Sequence, residues 1–241
     1  MDILASDTVE QTKRLALNLI EEKIVGLSVQ SKPIMLRLYN CSQATKLDTL
    51  FIGSFHGDEG ISTLLLEKWH MELKFLANDI LENYSPFAIL LALNPDGLAR
   101  QTRVNARGVD LNRNYPTKDW AELNKGEPYY SGVSAASEPE TQTMMSVLKL
   151  TQPRKIVSIH APYKVINYDG PARSLAEAMS VHNGYPVVDS IGYDTPGSFG
   201  TYAGKELGIP TITLELPEDE PLEKVWKENR MALIEATRFQ V

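Results

Sequence analysis

Two residues three positions apart, His56 and Glu59, carry side chains that can reach one cation. They lie in FIGSFHGDEG, residues 51–60, where an apolar run ends in a short polar loop. His160 ends a second apolar run, RKIVSIH, and is 160 − 56 = 104 residues further along the chain. Two histidines and one carboxylate bound to Zn²⁺ leave its fourth position open for water, as in a catalytic site. The sequence therefore predicts one catalytic Zn²⁺ with His56, Glu59 and His160 as its ligands.

The context of these residues decides between a catalytic metal and a chance match, because H-x-x-E strings are common. Both histidines are predicted at the C-terminal ends of strands, where ligands and catalytic groups collect in open α/β sheets. A structural zinc site normally has four protein ligands and is usually rich in cysteine, whereas this chain has one cysteine, Cys41. We expect Cys41 to be an inert, half-buried thiol, because no residue near it in sequence would lower its pKa.

A second group of polar residues lies in QTRVNARGVDLNRNYP, residues 101–116. Three arginines occur close together there: Arg103, Arg107 and Arg113. Asp110 is the only carboxylate in this stretch. A guanidinium beside a catalytic zinc can stabilise an oxyanion or bind a substrate carboxylate through two parallel hydrogen bonds. Asn112 could add a further donor to the same carboxylate. Surface arginines are the alternative, but these usually alternate with acidic residues.

Glu215 lies near the end of another apolar run, TITLELP. Hydrolysis of an amide by an activated water needs a base that takes a proton and passes it to the leaving amine. Its place near the C-terminal end of a predicted strand, like that of His160, makes Glu215 the candidate base. Its two leucine neighbours are expected to point the opposite way, so the carboxylate would face a solvent pocket at the sheet edge. A surface-facing glutamate is the alternative.

The composition limits the classes of partner. The chain has 241 residues, 43% of them hydrophobic, which fits one α/β domain over residues 1–241. Its net charge is −7 and no basic cluster stands out, so we expect neither nucleic acid nor an anionic membrane as a partner. The N-terminal stretch lacks a basic segment followed by an apolar core, and no run is long enough to span a membrane. We therefore expect a cytoplasmic protein.

Helical and strand patterns alternate along most of the chain, which predicts a mixed or mostly parallel sheet with helices on both faces. NPDG at 94–97 is typical of a turn, and the stretch from there to about 136 shows no periodicity, as is common in functional loops. Ser137 is expected to cap the third helix, with Glu140 completing a capping box. The predicted helices are 7–25, 60–82, 137–150, 171–183 and 219–238, and the predicted strands 33–40, 49–55, 86–93, 154–160 and 208–217.

Several motifs in the same order resemble those of the M14-type zinc carboxypeptidases: HGDE, NPDGL, RVNARGVDLNRN, the strand end at His160, and TLELP. They span residues 49–217, more than two thirds of the chain. The resemblance implies an α/β/α sandwich around a mixed, mostly parallel sheet of about eight strands. It also implies one Zn²⁺ per chain on the His₂Glu set, which is the zinc site of carboxypeptidase A.

The resemblance further implies roles for individual residues. Arg103 would polarise the scissile carbonyl, and Asn112 with Arg113 would bind the terminal carboxylate of the substrate. Glu215 would be the general base. Tyr193 would be the mobile tyrosine of the family. It lies 215 − 193 = 22 residues before Glu215. Gly200 stands where digestive members carry the residue at the pocket floor, so no floor side chain can be named from the sequence.

The string GYDTPGSFGTYAG makes the bacterial murein peptide amidases the most similar branch. This resemblance implies a cytoplasmic enzyme of cell-wall recycling that cleaves the γ-D-glutamyl-meso-diaminopimelate bond of L-Ala-γ-D-Glu-meso-DAP, the murein tripeptide. The enzyme would act as a monomer or homodimer.

Two other functions stay open. Deacylases of N-acyl amino acids, of the succinylglutamate desuccinylase and aspartoacylase type, share the metal set, although NPDG and TPGSFG favour a peptidase. A non-catalytic peptide-binding relative is the second alternative, and the presence of Glu215 argues against it.

Overall fold

The computed structural model of the protein describes residues 20–41, 46–76 and 83–241. The strands in these ranges are β1 (Ile20–Leu27), β2 (Pro33–Tyr39), β3 (Thr49–Ile52), β4 (Phe87–Leu90), β5 (Lys155–His160), β6 (Ile166–Asp169), β7 (Val187–Val188) and β8 (Thr211–Glu215). The helices are α1 (Gly60–Phe75), α2 (Pro95–Arg100), α3 (Pro139–Thr151), α4 (Arg173–Asn183) and α5 (Leu222–Arg238). A 3₁₀ turn at Leu111–Arg113 and a π-helix at Thr201–Glu206 complete the described elements.

The strands form one eight-stranded sheet in the order β1-β2-β4-β3-β5-β8-β6-β7. Its middle strands, β4, β3, β5 and β8, are parallel to one another. The pairs β1–β2, β2–β4 and β8–β6 are antiparallel. The sheet is therefore mixed, as predicted, and the C-terminal ends of its parallel strands meet at one edge.

Alternate residues of the central strand β3 enter two separate apolar cores. Phe51 packs edge-to-face on Trp69 of α1, with 4.9 Å between ring centroids, in the core shared with α4 and α5. Leu50 and Ile52 point into the core on the opposite face, where α3 contributes Met144. Strands β3, β4 and β5 are buried along their whole length because helices cover both faces of the sheet. The architecture is the predicted α/β/α sandwich.

The predicted helix over residues 7–25 is wrong where it can be compared with the structure. Residues 20–25 belong to β1, which pairs antiparallel with β2 along the edge of the sheet. Ile20 and Ile24 suggested one face of a helix, but the β-branched side chains of this segment also suit a strand, and pairing with β2 decides the outcome. Ile24 is 64% exposed on this edge strand. Residues 7–19 of the predicted helix lie outside the described residues.

Two predicted helix boundaries and one predicted turn also change. Helix α1 ends at Phe75, and residues 77–82 of its predicted C-terminal part lie outside the described residues. NPDG begins a short helix instead of forming a turn, because the Asn94 side chain accepts a hydrogen bond of 2.8 Å from Gly97 N. Helix α3 begins at Pro139, and Ser137 does not cap it, because its hydroxyl donates to the Glu138 side chain at 2.8 Å.

Glu140 does not complete a capping box. Its carboxylate accepts hydrogen bonds from Val29 N at 3.0 Å and from Asn105 Nδ2 at 3.1 Å. Both donors are distant in sequence, so these contacts could not be found from the local pattern. Glu140 instead connects the start of α3 to the β1–β2 connection and to the segment between α2 and α3, which we call the long loop.

Candidate active site

The three predicted zinc ligands meet at the edge where β3 and β5 end. His56 follows β3, Glu59 directly precedes α1, and His160 is the last residue of β5. His56 Nδ1 lies 2.6 Å from Glu59 Oε1, and His160 Nδ1 lies 3.0 Å from Glu59 Oε2. The ligand atoms of the three residues all lie within 4.8 Å of one another. Two imidazole nitrogens and one carboxylate at this separation form a set that could hold Zn²⁺.

The NPDG segment holds the loop that carries His56. Asn94 Nδ2 donates to Phe55 O and to Arg103 O, both at 3.3 Å. One side chain therefore joins the loop that carries His56 to the long loop. Gly57 lies so close to the α2 backbone that a Cβ there would overlap the Gly97 carbonyl. The glycine of HGDE is therefore required for close packing beside His56, Glu59 and His160, the three residues that we call the metal cluster.

Two carboxylates, those of Glu59 and Asp110, set the charges around the three predicted zinc ligands. Burial disfavours the charged imidazole of His56, but the Glu59 and Asp110 carboxylates outweigh it and raise its pKa to about 9. Burial also disfavours the charged form of Glu59, yet His56 and His160 hold the pKa of this carboxyl well below its usual range. Glu59 is therefore ionised, the form in which a carboxylate binds metal, and a metal ion would displace the proton from His56.

Asp110 is a site residue that the sequence indicated only as a counter-charge. It is fully buried, and its Oδ1 lies 3.1 Å from His56 Nε2 and accepts a hydrogen bond of 2.8 Å from Asn112 N. Its Oδ2 accepts a hydrogen bond of 3.0 Å from Arg103 Nε. A carboxylate on the far nitrogen of a metal-binding histidine fixes the ring orientation. No spacing rule in the sequence connects Asp110 with His56.

Glu215 is the last residue of β8 and is the register partner of His160 on β5. Its side chain is buried and lines the pocket at the metal cluster, and β8 lies inside the sheet, so the carboxylate is not on the protein surface. Oε2 has no hydrogen-bond partner among the described residues. Burial raises the pKa of this carboxyl. Glu215 thus presents a carboxylate oxygen that is free to accept a proton.

Two of the three arginines face this pocket, and one does not. Arg103 and Arg113 line it, whereas Arg107 is outside the lining and lies 3.5 Å from Glu138. The ring of Tyr129 lies against both pocket arginines, with its centroid 5.0 Å from Arg103 Cζ and 5.3 Å from Arg113 Cζ. Such cation–π contacts hold the two guanidinium groups side by side.

Asn112 and Tyr193 lie in the same pocket. Asn112 Oδ1 accepts a hydrogen bond of 2.9 Å from Phe199 N, so its side-chain NH₂ is the group that could donate to a ligand. Tyr193 is partly exposed and hydrogen-bonds to Tyr163, and burial together with this contact raises its pKa to about 12. Its hydroxyl is therefore neutral near pH 7.

The structure brings all the predicted site residues into one pocket with a volume of about 630 Å³. These residues are His56, Glu59, Arg103, Asn112, Arg113, His160, Tyr193 and Glu215. A metal cluster, a carboxylate with one free oxygen and two guanidinium groups around one cavity can bind an anionic group and activate water beside it.

The sequence model of the zinc carboxypeptidase family, Peptidase_M14, matches residues 7–180. The chain belongs to the zinc carboxypeptidase family. Among similar members, murein peptide amidase A of Escherichia coli (strain K12) is 35% identical over 216 residues, which cover 83% of this chain and 84% of the relative. Murein peptide amidase A of Vibrio campbellii is 33% identical over 221 residues, covering 87% and 84%.

Solved structures of zinc carboxypeptidases have the same fold. Murein-tripeptide amidase MpaA from Escherichia coli O157 superposes with a TM-score of 0.74 and 28% identity, covering 91% of this chain and 92% of that one. Carboxypeptidase A from Helicoverpa armigera has a TM-score of 0.78 at 19% identity, covering 97% and 72%. At 19% identity, the similarity to carboxypeptidase A shows a shared fold only.

As a zinc carboxypeptidase, the chain is a zinc-dependent hydrolase, which confirms the predicted enzyme class and cofactor. The His56, Glu59 and His160 cluster is suited to that metal. None of the helices in the described ranges is both long enough and apolar enough to cross a membrane.

Proposed function

We propose that this zinc carboxypeptidase is a murein peptide amidase, with residues 1–241 forming one catalytic domain. Its substrate would be L-Ala-γ-D-Glu-meso-DAP, cleaved between D-glutamate and diaminopimelate. The names of the relatives at 33% and 35% identity supply the substrate class. The observation that carries the proposal is the single pocket that joins the metal cluster, Glu215 and two guanidinium groups.

Substrate binding would rest on Arg113 and Asn112. Arg113 is buried, and its Nη1 donates to the Asn112 carbonyl at 2.7 Å, so the guanidinium has little freedom to move. A guanidinium with this restriction loses little entropy when it binds a carboxylate through two hydrogen bonds. In the proposed complex it binds the carboxylate next to the acylated nitrogen of diaminopimelate, together with the Asn112 NH₂. This contact would place the amide bond beside the metal cluster.

Arg103 would stabilise the carbonyl oxygen as it gains negative charge. Its Nε is occupied by Asp110 at 3.0 Å and its Nη1 lies 3.7 Å from Glu59 Oε1, so the guanidinium is fixed at the edge of the metal cluster. A donor that is already oriented needs no reorganisation when charge develops in the transition state.

Glu215 would move the proton. His56, Glu59 and His160 would hold Zn²⁺, which when bound acts as a Lewis acid and lowers the pKa of water. The free Oε2 of Glu215 would accept the proton of the attacking water and then donate it to the departing amine of diaminopimelate. Burial raises the pKa of Glu215, which makes the carboxylate a stronger base for the first of these steps.

The proposed partner is this small peptide alone, for a protein that acts in the cytoplasm as a monomer or homodimer. The net charge of −7 speaks against nucleic acid, and the one cysteine, Cys41, suits a reducing compartment. The tripeptide carries several carboxylates, and Arg113 in the pocket matches this chemistry.

A mass-spectrometric assay tests the proposal. Zinc-loaded protein is incubated with L-Ala-γ-D-Glu-meso-DAP, with an ordinary C-terminal dipeptide and with N-succinylglutamate, and each reaction is repeated with Glu215→Ala. We expect free diaminopimelate from the wild type and none from the variant. Release of succinate with the tripeptide left intact would instead identify an N-acyl amino acid deacylase. No product from any substrate, with zinc confirmed bound, would contradict the amidase proposal.

A further inference from the structure

The pocket has an acidic side chain where the sequence indicates only a glycine. Asp169, the last residue of β6, fills the space in which a side chain at position 200 would lie, because a Cβ on Gly200 would overlap its Oδ2. A Cβ on Gly204 would overlap the Cβ of Asp169 in the same way. The two glycines therefore let the π-helix pack directly against the end of β6. Gly200 does not leave an empty space but admits a carboxylate from another strand.

Lys205 gives this carboxylate a cationic neighbour. Its Nζ lies 3.1 Å from Asp169 Oδ1, and both residues line the pocket that contains the metal cluster. The two side chains differ in freedom, since that of Asp169 is 11% exposed and that of Lys205 is 59% exposed. The pair thus combines a fixed negative charge with a positive charge on a long, movable side chain.

We propose that Asp169 and Lys205 determine specificity for the amine-side residue of the substrate, and that they recognise a side chain ending in an ammonium and a carboxylate on one carbon. This inference rests on the proposed function. Diaminopimelate has such an end: once the carboxylate of its acylated centre is bound by Arg113, its other centre presents both charges. Asp169 would accept hydrogen bonds from the ammonium, and Lys205 would donate to the carboxylate.

The opposite signs of the pair explain why a zwitterion fits better than a single charge. Asp169 alone would also attract the side chain of lysine. Lys205 beside it repels a bare cation, and it gains a partner only when the ligand also brings a carboxylate. Each hydrogen bond between charged groups is typically worth about tenfold or more in affinity. Lys205 should therefore provide most of the discrimination between diaminopimelate and lysine.

Calorimetric titration of the zinc-loaded protein with free meso-diaminopimelate and with L-lysine tests this directly. We expect the wild type to bind diaminopimelate at least about tenfold more tightly than lysine. Lys205→Met should remove most of this preference, and Asp169→Asn should weaken the binding of both ligands. Lys224→Met is the matched control, because Lys224 has a similarly exposed side chain, 54%, and is paired with Glu220 at 2.9 Å outside the pocket lining.

An unchanged preference in Lys205→Met, or no preference in the wild type, would overturn the proposal. Lys205 is largely exposed, so Lys205→Met should fold even if Asp169→Asn does not. In that case the titration of Lys205→Met alone tests the proposal. Hydrolysis of tripeptides ending in meso-diaminopimelate or L-lysine separates this inference from the proposed function. If the protein prefers diaminopimelate in the titration but hydrolyses neither tripeptide, only the amidase activity is contradicted. If it hydrolyses a tripeptide but Lys205→Met keeps the preference for diaminopimelate, only the role of the pair is contradicted.

Discussion

His56 Nε2 lies 3.1 Å from Oδ1 of the buried Asp110, so this carboxylate orients the imidazole from the side opposite Glu59. The other oxygen of Asp110 accepts a hydrogen bond from Arg103. One buried carboxylate thus connects a proposed metal ligand with the proposed oxyanion donor. The positions of these two side chains depend on each other through Asp110.

Asp110→Asn should lower zinc affinity by about 10- to 100-fold, because the imidazole of His56 loses its charged partner. Competition between the protein and a chromophoric chelator measures this affinity. Asp189→Asn makes the same chemical change at an exposed position of the same pocket and should leave zinc binding unchanged. Equal zinc affinity in Asp110→Asn and the wild type would show that Asp110 does not orient the ligand.

Glu215→Gln should reduce kcat by about two to four orders of magnitude, the usual contribution of a general base. Zinc content should stay at one ion per chain, because Glu215 is not part of the metal cluster. Thermal stability should hold or rise, since the substitution removes a buried negative charge whose Oε2 lacks a hydrogen-bond partner in the described structure. Kinetics, metal analysis and a melting curve on one preparation check all three outcomes. Wild-type kcat would remove Glu215 from the proposed role.

The metal cluster could be predicted from the sequence because strand ends in a parallel sheet meet at one edge. His56 and His160 each end an apolar run, and β3 and β5 are neighbours in the sheet. The partners of this cluster could not be predicted in the same way. Asp110 reaches His56 from a loop without periodicity, and Asp169 reaches the pocket only because Gly200 and Gly204 permit close packing.

The errors in secondary structure have a related cause. The segment at Ile20–Leu27 has apolar positions that suit a helix, but the neighbouring strand β2 offers hydrogen bonds along its whole edge. Ser137 and Glu140 form a local capping pattern, yet each finds another partner, at Glu138 and at Asn105. The pairing with β2 and the contact between Glu140 and Asn105 outweigh a local preference worth about 1 kcal/mol, whereas Ser137 donates to the residue next to it.

Tyr129→Ala should raise KM by roughly two- to tenfold with a smaller effect on kcat, because its ring contacts the guanidinium groups of Arg103 and Arg113. Without the ring these groups would have more freedom and would lose more entropy on binding a carboxylate. Tyr129→Phe keeps the aromatic face and should retain a KM close to that of the wild type. Steady-state kinetics on all three proteins make the test. A KM raised equally in both variants would point to the hydroxyl instead.

Cys41 should react slowly with alkylating reagents in the native protein. Burial raises the pKa of its thiol from 9.0 to about 11, so at pH 8 the thiolate fraction is ~100-fold lower than in the unfolded chain. Because the folded-state pKa is the higher one, the protonated thiol favours the native state below pH 9, and this contribution is lost as the pH rises towards 11. Iodoacetamide labelling from pH 7 to 10, with and without denaturant, measures the difference. A native rate that levels off near pH 9 would contradict it.

Chelation of zinc should abolish activity but leave the protein folded. Without the ion, Glu59 can still accept hydrogen bonds from His56 and His160, and the strands that precede these histidines, β3 and β5, are buried in the sheet. The melting temperature should fall on chelation and recover with added Zn²⁺, because an ion at 1,000 times its dissociation constant adds about 4 kcal/mol of stability. Circular dichroism and a melting curve check this, with Glu59→Ala as the variant whose melting temperature should respond little to zinc. Unfolding of the chelated protein would instead make the metal a structural requirement of the fold.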